Sequence, residues 1–331
     1  MAYDQNSEDL ERRIKEEALL AEKIFSELGK VIVGQQNISR RLLMAMIAQG
    51  HVLLEGLPGL AKTTAIKTLA KVSDLSFSRI QFTPDLLPAD VVGTQVYDPK
   101  TTDFKVKKGP IFANLILADE INRAPAKVQA ALLESMEERQ VTIGEKTWTL
   151  DEPFLVMATQ NPVEQEGTYP LPEAQLDRFL FKLKTCYGTM DEEQEIIQRA
   201  AAKTPVALEK IADRSDLQRM RDLVGDIYVS EKIHRYIVEL VFATREPASR
   251  GLKELENLIE FGASPRASIA LDRVARVNAL IDGRTFVTPQ DVKDVGIDVL
   301  RHRIKPTYEA EAEEISSEQI ITRVFESVDV P

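Results

Sequence analysis

Cysteine is almost absent from this chain: Cys186 is the only one in 331 residues. A single thiol excludes an internal disulfide, so a cytoplasmic chain is the expectation. Cys186 follows the apolar run Phe179-Leu180-Phe181-Lys182-Leu183 and reads as a buried structural thiol. Histidine is nearly as scarce. His51, His234 and His302 lie far apart and make no metal-ligand spacing. Long apolar runs are missing, so no segment is expected to cross a bilayer as a helix. The segment Met1 to Leu10 is polar and acidic, unlike a secretory leader. Positive charge is in deficit: 42 Lys and Arg against 53 Asp and Glu give a net charge of −11. That balance argues against broad affinity for nucleic acid, although a local basic patch remains compatible with it. There is no internal repeat and no low-complexity segment. What is present is an ordinary globular composition, 44% hydrophobic and 29% charged, on a chain long enough for two cores.

Hydrophobic periodicity organises the chain. Ser7 to Leu28 reads as a charged amphipathic helix, with Leu10, Ile14, Leu20, Ile24 and Phe25 near helical spacing and Gly29 as its stop. A second helix is expected up to about Gln49. From His51 onward strands alternate with helices. The strand candidates are Val52 to Glu55, Phe77 to Gln81, Leu115 to Asp119, Phe154 to Thr159 and Phe179 to Leu183. Such alternation predicts a mainly parallel sheet with helices on both faces. Two β-hairpins interrupt it: Val91 to Asp98 with Phe104 to Lys107, and Gln140 to Ile143 with Thr147 to Leu150. From Asp191 onward nearly every segment reads as helix. Ser264-Pro265 and Thr288-Pro289 look like N-caps followed by first-turn prolines.

The segment Gly56-Leu57-Pro58-Gly59-Leu60-Ala61-Lys62-Thr63 follows a strand candidate and precedes the helical Thr64-Ala65-Ile66-Lys67. Strand, glycine-containing loop and helix start, in that order, make a phosphate cradle in which backbone N–H groups and the helix dipole face one anion. Lys62 is expected to reach the β- and γ-phosphates, and the Thr63 hydroxyl to bind Mg²⁺. Ala61 stands where the strict pattern has glycine.

Four further elements carry chemistry. Leu115-Ile116-Leu117-Ala118-Asp119-Glu120 is an apolar strand ending in two carboxylates. In a nucleotide site the first helps hold Mg²⁺ and the second polarises the attacking water; acids enriched at a helix start are the plainer alternative. Asn161, before Pro162, is an uncharged amide able to bond the attacking water or the γ-phosphate, or else a turn residue. Arg178, in Leu176-Asp177-Arg178-Phe179, is either a local partner of Asp177 or Glu173 or an arginine finger. Arg266 lies in the first turn of a helix, where the dipole disfavours a cation, so an external anion suits it better.

Taken in order, these residues resemble the AAA+ ATPases, and among them the MoxR type. The strings Gly59-Leu60-Ala61-Lys62-Thr63, Asp119-Glu120-Ile121-Asn122-Arg123-Ala124-Pro125, Thr159-Gln160-Asn161-Pro162, Glu173 to Phe179 and Ala263-Ser264-Pro265-Arg266-Ala267 are together highly specific. The resemblance spans nearly the whole chain after about Gly29, and the Ala61 departure is usual in that family. It implies an α/β fold: an AAA+ P-loop core with a five-stranded parallel sheet, helices on both faces and two hairpin inserts, followed by a smaller all-α lid. The corresponding division is an acidic N-terminal helix over 1–29, a nucleotide-binding domain over 30–187 and a lid over 188–331.

By the same resemblance, Lys62 and Thr63 are the Walker A pair, and Asp119 and Glu120 the Walker B pair. Asn161 is sensor 1, Arg178 the finger reaching a neighbour's ATP, and Arg266 sensor 2, acting in cis or in trans. Val33, Gly34 and Gln35 lie near the adenine. Gly56, Pro58, Gly59, Leu60, Ala61 and Thr64 complete the cradle for ATP or ADP, and Thr63 and Asp119 hold Mg²⁺. Arg123, directly after the Walker B pair, belongs either at a subunit interface or on the nucleotide, and the resemblance does not choose between them. The implied protein is a hexameric, ATP-hydrolysing remodelling chaperone whose clients carry von Willebrand factor A domains.

Two other functions compete with this reading. One is a nucleic-acid motor using the first hairpin, where Lys100, Lys105, Lys107 and Lys108 accompany Tyr97 and Phe104. Lysines protecting a solvated edge explain the same residues. The other is an ATP-gated scaffold with little turnover, against which the intact Asp119-Glu120 pair and Arg178 speak.

Overall fold

The computed structural model describes residues 2–56, 62–162, 167–185, 187–201 and 206–331. Pro58, Gly59, Leu60 and Ala61 of the expected cradle, and the Cys186 thiol, lie outside the described residues.

The chain opens with α1 (Ala2–Gly29) and α2 (Gln36–Ile47). It continues through β1 (Val52–Glu55), α3 (Lys62–Val72), β2 (Phe77–Gln81), α4 (Pro88–Val92), β3 (Gly93–Asp98) and β4 (Asp103–Lys108). Then come β5 (Leu115–Asp119), α5 (Ala126–Glu138), β6 (Gln140–Ile143), β7 (Lys146–Thr149), β8 (Leu155–Gln160), α6 (Glu173–Leu176), β9 (Phe181–Lys184) and α7 (Met190–Ala201). The remainder holds α8 (Arg214–Val224), α9 (Glu231–Ala243), β10 (Ile259–Phe261), α10 (Pro265–Ile281), α11 (Pro289–Leu300), β11 (Lys305–Pro306), α12 (Tyr308–Ala312) and α13 (Ser317–Ser327).

The chain divides into two units. One comprises residues 23–179 and 183–217, the other residues 1–22, 180–182 and 218–331.

Five strands form one sheet in the order β2-β5-β8-β1-β9. The pairs β2–β5, β5–β8 and β1–β8 are parallel. Leu115 to Ala118 of β5 and Leu155 to Ala158 of β8 are completely buried. An uninterrupted apolar run is what a strand covered on both faces requires. Edge strand β2 instead alternates: Ile80 is buried while Arg79 and Gln81 share the exposed side. Beside the sheet, Phe82, Ile111, Val128, Leu132, Met136 and Phe154 pack in the core of this unit.

The first hairpin departs from expectation at its start. Val91 and Val92 close the short helix α4 rather than open a strand. Pro88 suits a first helical turn, Asp90 Oδ2 accepts from Leu87 N at 2.9 Å, and Val91 is buried. Gly93 then ends the helix at φ 104°, and a Cβ there would sit 2.3 Å from Lys107 O. In the hairpin, Tyr97 and Phe104 face each other across the strands with ring centres 5.4 Å apart, and Lys105 pairs with Asp98 at 2.5 Å. Lys108 lies over both Phe112 (4.6 Å) and Trp148 (4.7 Å). The final sheet strand also begins later than expected, at Phe181, because Phe179 still bonds back to Leu176 in the turn that ends α6.

The second unit is helical around α9, α10, α11 and α13, with Leu240, Leu271, Val274, Val292, Val295 and Ile320 buried. Ser264 caps α10 by accepting from Arg266 N, and Thr288 with Asp291 makes a capping box on α11. Against the all-helical expectation, β10 and β11 form a short antiparallel pair. Their lengths, three and two residues, are too short to show a period of two.

Candidate active site

Parallel strands bring separate stretches of sequence to one edge. Glu55 pairs with Gln160 and Ala118 with Ala158, so Gly56, Asp119 and Asn161 all sit at the carboxyl ends of adjacent strands. That edge is where open α/β sheets bind ligands. Gly56 leaves β1 with no room for a side chain: a Cβ would fall 1.6 Å from Thr185 Oγ1. Lys62, Thr63 and Thr64 form the first turn of α3. The Lys62 ammonium donates to Gly56 O. Burial pushes the Lys62 pKa below its ordinary value, and the nearby charges of Asp119, Glu120 and Glu55 oppose that shift. The cation and the two carboxylates expected from the sequence therefore share one electrostatic neighbourhood.

The two carboxylates are held differently. Thr159 Oγ1 donates to Asp119 Oδ1 at 2.7 Å and accepts from Glu120 N at 2.9 Å, so one hydroxyl orients both residues. Arg79 reaches Asp119 Oδ2 at 2.5 Å. Glu120 occupies the left-handed region at φ 55°, uncommon for a residue with a side chain and typical of functional turns. Its Oε2 accepts from Gln81 Nε2 at 3.2 Å and pairs with Arg123 Nε at 3.0 Å. Arg123 thus pairs with Glu120 directly.

Arg178 follows α6 and pairs with Glu137 Oε2 of α5 at 2.7 Å. Its side chain is 32% exposed. Val33, Gly34 and Gln35 form the link between α1 and α2, with Gln35 in the left-handed region at the start of α2. Beside it is a pocket of about 530 Å³ lined by Phe25, Ile32, Val33, Gly34, Gln36 and Arg199. Arg266 belongs to the second unit, in the first turn of α10.

Sequence reasoning missed Arg79, Gln81, Gln129 and Glu137. Arg79 and Gln81 had a signal: two polar residues spaced by two on a strand. Gln129 had another, as the polar member of a helical stripe with Leu132, Leu133 and Met136. Glu137 had none, since nothing local links it to Arg178.

The donors suit Mg²⁺. A threonine hydroxyl at the helix start and a carboxylate at the strand end are hard oxygen ligands. The Arg79–Asp119 pair does not oppose this, because the Arg79 side chain is 50% exposed and exposed pairs contribute about 0–1 kcal/mol.

Comparison with known proteins agrees with this arrangement. Residues 51–181 match the model of the ATPase family associated with various cellular activities, and residues 254–324 match the AAA lid domain. The chain is 50% identical to Chaperone MoxR1 of Mycobacterium tuberculosis over 94% of its own length and 82% of the relative's. It is 30% identical to Protein MoxR of Methylorubrum extorquens over 94% and 95% of the two lengths. A crystal structure of a Cytophaga hutchinsonii protein, provisionally assigned as an ATPase, superposes with a TM-score of 0.93 at 50% identity, covering 98% of this chain and 99% of the other. Among the described residues no helix is long and apolar enough to cross a membrane. With an αβα core matching the ATPase model, a lid matching the AAA lid domain and 50% identity to a MoxR chaperone, the chain belongs to the MoxR family of AAA+ ATPases.

Proposed function

We propose that the protein is a Mg-ATP-hydrolysing ring ATPase, hexameric, that remodels or matures client proteins carrying von Willebrand factor A domains. The observation that carries the catalytic part is the Lys62, Asp119 and Glu120 cluster at the sheet edge, while Arg178 pairs with Glu137 of α5. In this reading Lys62 neutralises the β- and γ-phosphate oxygens. Thr63 and Asp119 would hold Mg²⁺, which would supply further charge neutralisation there. Glu120 orients the attacking water and accepts its proton as the oxygen bonds the γ-phosphorus and ADP leaves. The Asn161 amide bonds the same water or the γ-phosphate. Val33, Gly34 and Gln35 border the adenine. Arg178 completes the site of the neighbouring copy, and Arg266 senses nucleotide from the lid.

Residues 30–187 and 188–331 serve as the nucleotide-binding domain and the lid in this reading, and residues 1–29 as an acidic N-terminal helix. A cytoplasmic setting goes with it, since ATP is the substrate. Protein clients are favoured over nucleic acid because Lys105 and Lys108 of the first hairpin are already engaged by Asp98, Phe112 and Trp148.

Mixing tests the reading. Lys62→Ala subunits alone should bind no ATP, and Arg178→Ala subunits alone should not turn it over. Mixed together they should recover hydrolysis, because an intact Lys62 site can meet an intact Arg178. Absence of rescue in assemblies that do form would refute the finger in trans. Stimulation of turnover by a purified von Willebrand factor A domain protein tests the client assignment.

A further inference from the structure

Gln129 is a polar residue on the apolar stripe of α5, and it is only 1% exposed. A buried amide is costly unless its hydrogen bonds are met. Gln129 Nε2 meets them with three backbone carbonyls: Ile121 O at 3.2 Å, Ala124 O at 3.2 Å and Tyr169 O at 2.9 Å. The amide has two hydrogens, so at least one is shared. The acceptors come from two segments. Ile121 and Ala124 belong to the turn that starts at Glu120. Tyr169 belongs to the segment that runs into α6 and Arg178. A second link runs directly between them, with Tyr169 N donating to Asn122 O at 2.6 Å.

Helix α5 holds both ends of this arrangement. Gln129, in its first half, anchors the Glu120 turn, and Glu137, near its end, pairs with Arg178. Each joined segment also carries a buried acceptor without a partner, Asn122 Oδ1 on one and Gln175 Oε1 on the other. An isosteric apolar side chain would fill the same volume and leave three carbonyls to find other donors. Packing alone therefore does not call for an amide at position 129.

We propose that Gln129 is a positioning residue that couples the Glu120 turn of one nucleotide site to the segment presenting Arg178 to the next copy's site. One amide bonds both segments, so displacement of either pulls on the other. The inference rests on the reading of Glu120 as the water-orienting residue and of Arg178 as a finger in trans. It adds the physical link by which the occupancy of one site reaches the arginine of the next.

Hydrogen exchange in a Glu120→Gln background, which should hold ATP without turnover, tests it. ATP addition should change exchange in peptides covering 120–124 and in those covering 167–178. With Gln129→Met added, a near-isosteric change that removes the donors, the first change should persist and the second should vanish. Gln129→Asn, which keeps an amide one methylene shorter, gives the same readout should the methionine variant not fold. In the otherwise unaltered chain Gln129→Met should lower kcat about tenfold with KM for ATP within about twofold, as expected for coupling rather than binding.

Exchange changes at both segments in both backgrounds would overturn the coupling, as would a change confined to 120–124 before Gln129 is altered. A lower melting temperature with unchanged kcat per folded subunit would reduce Gln129 to a structural role. Failure of the Glu120→Gln chain to bind ATP would instead overturn the underlying reading of the site.

Discussion

Asp119 in the nucleotide-binding unit and Asp291 in the helical unit are both aspartates facing an arginine, yet they do different work. Asp291 is buried, at 1% exposure, and every neighbour serves it. Arg284 donates to it from both terminal nitrogens (2.6 and 2.7 Å), Asn278 Nδ2 donates at 2.8 Å, and Thr288 donates through N and Oγ1 at 2.7 Å each. Burial pushes its pKa up, and these hydrogen bonds outweigh that and hold it below the ordinary carboxylate value. Asp119 keeps one buried-side partner, the Thr159 hydroxyl, and one half-exposed arginine. A carboxylate saturated by fixed donors holds structure together. One whose arginine partner is half-exposed remains able to take another cation. Number of donors and burial separate the two roles where residue type does not.

The largest effect should come from Glu120, beside Asp119. Glu120→Gln should lower kcat by about 10²–10⁴-fold, the usual share of a general base, while ATP binding by equilibrium titration persists. Normal turnover would remove Glu120 from that role and collapse the contrast with Asp291.

Next is Asp291 itself. Asp291→Ala leaves the Arg284 charge uncompensated and should cost about 3–5 kcal/mol in denaturant unfolding. The subunits that remain folded should bind ATP as before. The wild-type contribution of Asp291 should be present above the ordinary aspartate pKa and lost as pH falls through its depressed folded value.

A third test extends the comparison to a buried group with no charge. His51 sits between Met136 O, 3.1 Å from Nε2, and Val156 N, which donates to Nδ1 at 3.0 Å. That pairing requires the neutral ring with its proton on Nε2. Burial lowers its pKa from 6.5 to about 3. Below 6.5 the unfolded chain takes a proton that the folded chain refuses, so stability falls toward the folded value of about 3. The slope should approach about 1.4 kcal/mol per pH unit. Unfolding midpoints at pH 7 and pH 5 should differ less in His51→Gln than in wild type.

The smallest effect belongs to Arg79. Arg79→Ala should change stability by no more than about 1 kcal/mol, as for other exposed pairs, and should leave KM for Mg-ATP unchanged or lower. A large loss would mean that Asp119 depends on Arg79 as Asp291 depends on Arg284.

Much of this was legible before any coordinates. The strand stretches Val52 to Glu55 and Leu115 to Asp119 occur as expected, because short apolar runs between helices leave little alternative, and the more polar edge stretch Phe77 to Gln81 occurs as expected too. Both hairpins occur as well. The helical α4 start was not legible, since Val91 and Val92 look like strand residues until Pro88 and Asp90 are seen to cap a turn. Arg178 was read against Asp177 and Glu173, its sequence neighbours, and the structure adds a partner from α5, Glu137. Gln129 stood out only as a polar residue on an apolar stripe.

Local order thus determined which residue types the proposed chemistry draws on: a lysine and threonines at a helix start, two acids at a strand end, an amide after the next sheet strand and an arginine after a short helix. Their spacing is chemical information carried within a few residues. Tertiary structure alone decided their partners. Thr159 reaches Asp119 and Glu120 because β8 lies beside β5, Gln81 and Arg79 reach the same acids because β2 lies on β5's other side, and Gln129 joins the turn at Ile121 and Ala124 to Tyr169, which is 40 residues beyond Gln129 itself. Strand order and helix packing arise from burying apolar faces over the whole chain, a global requirement with no short-range signature.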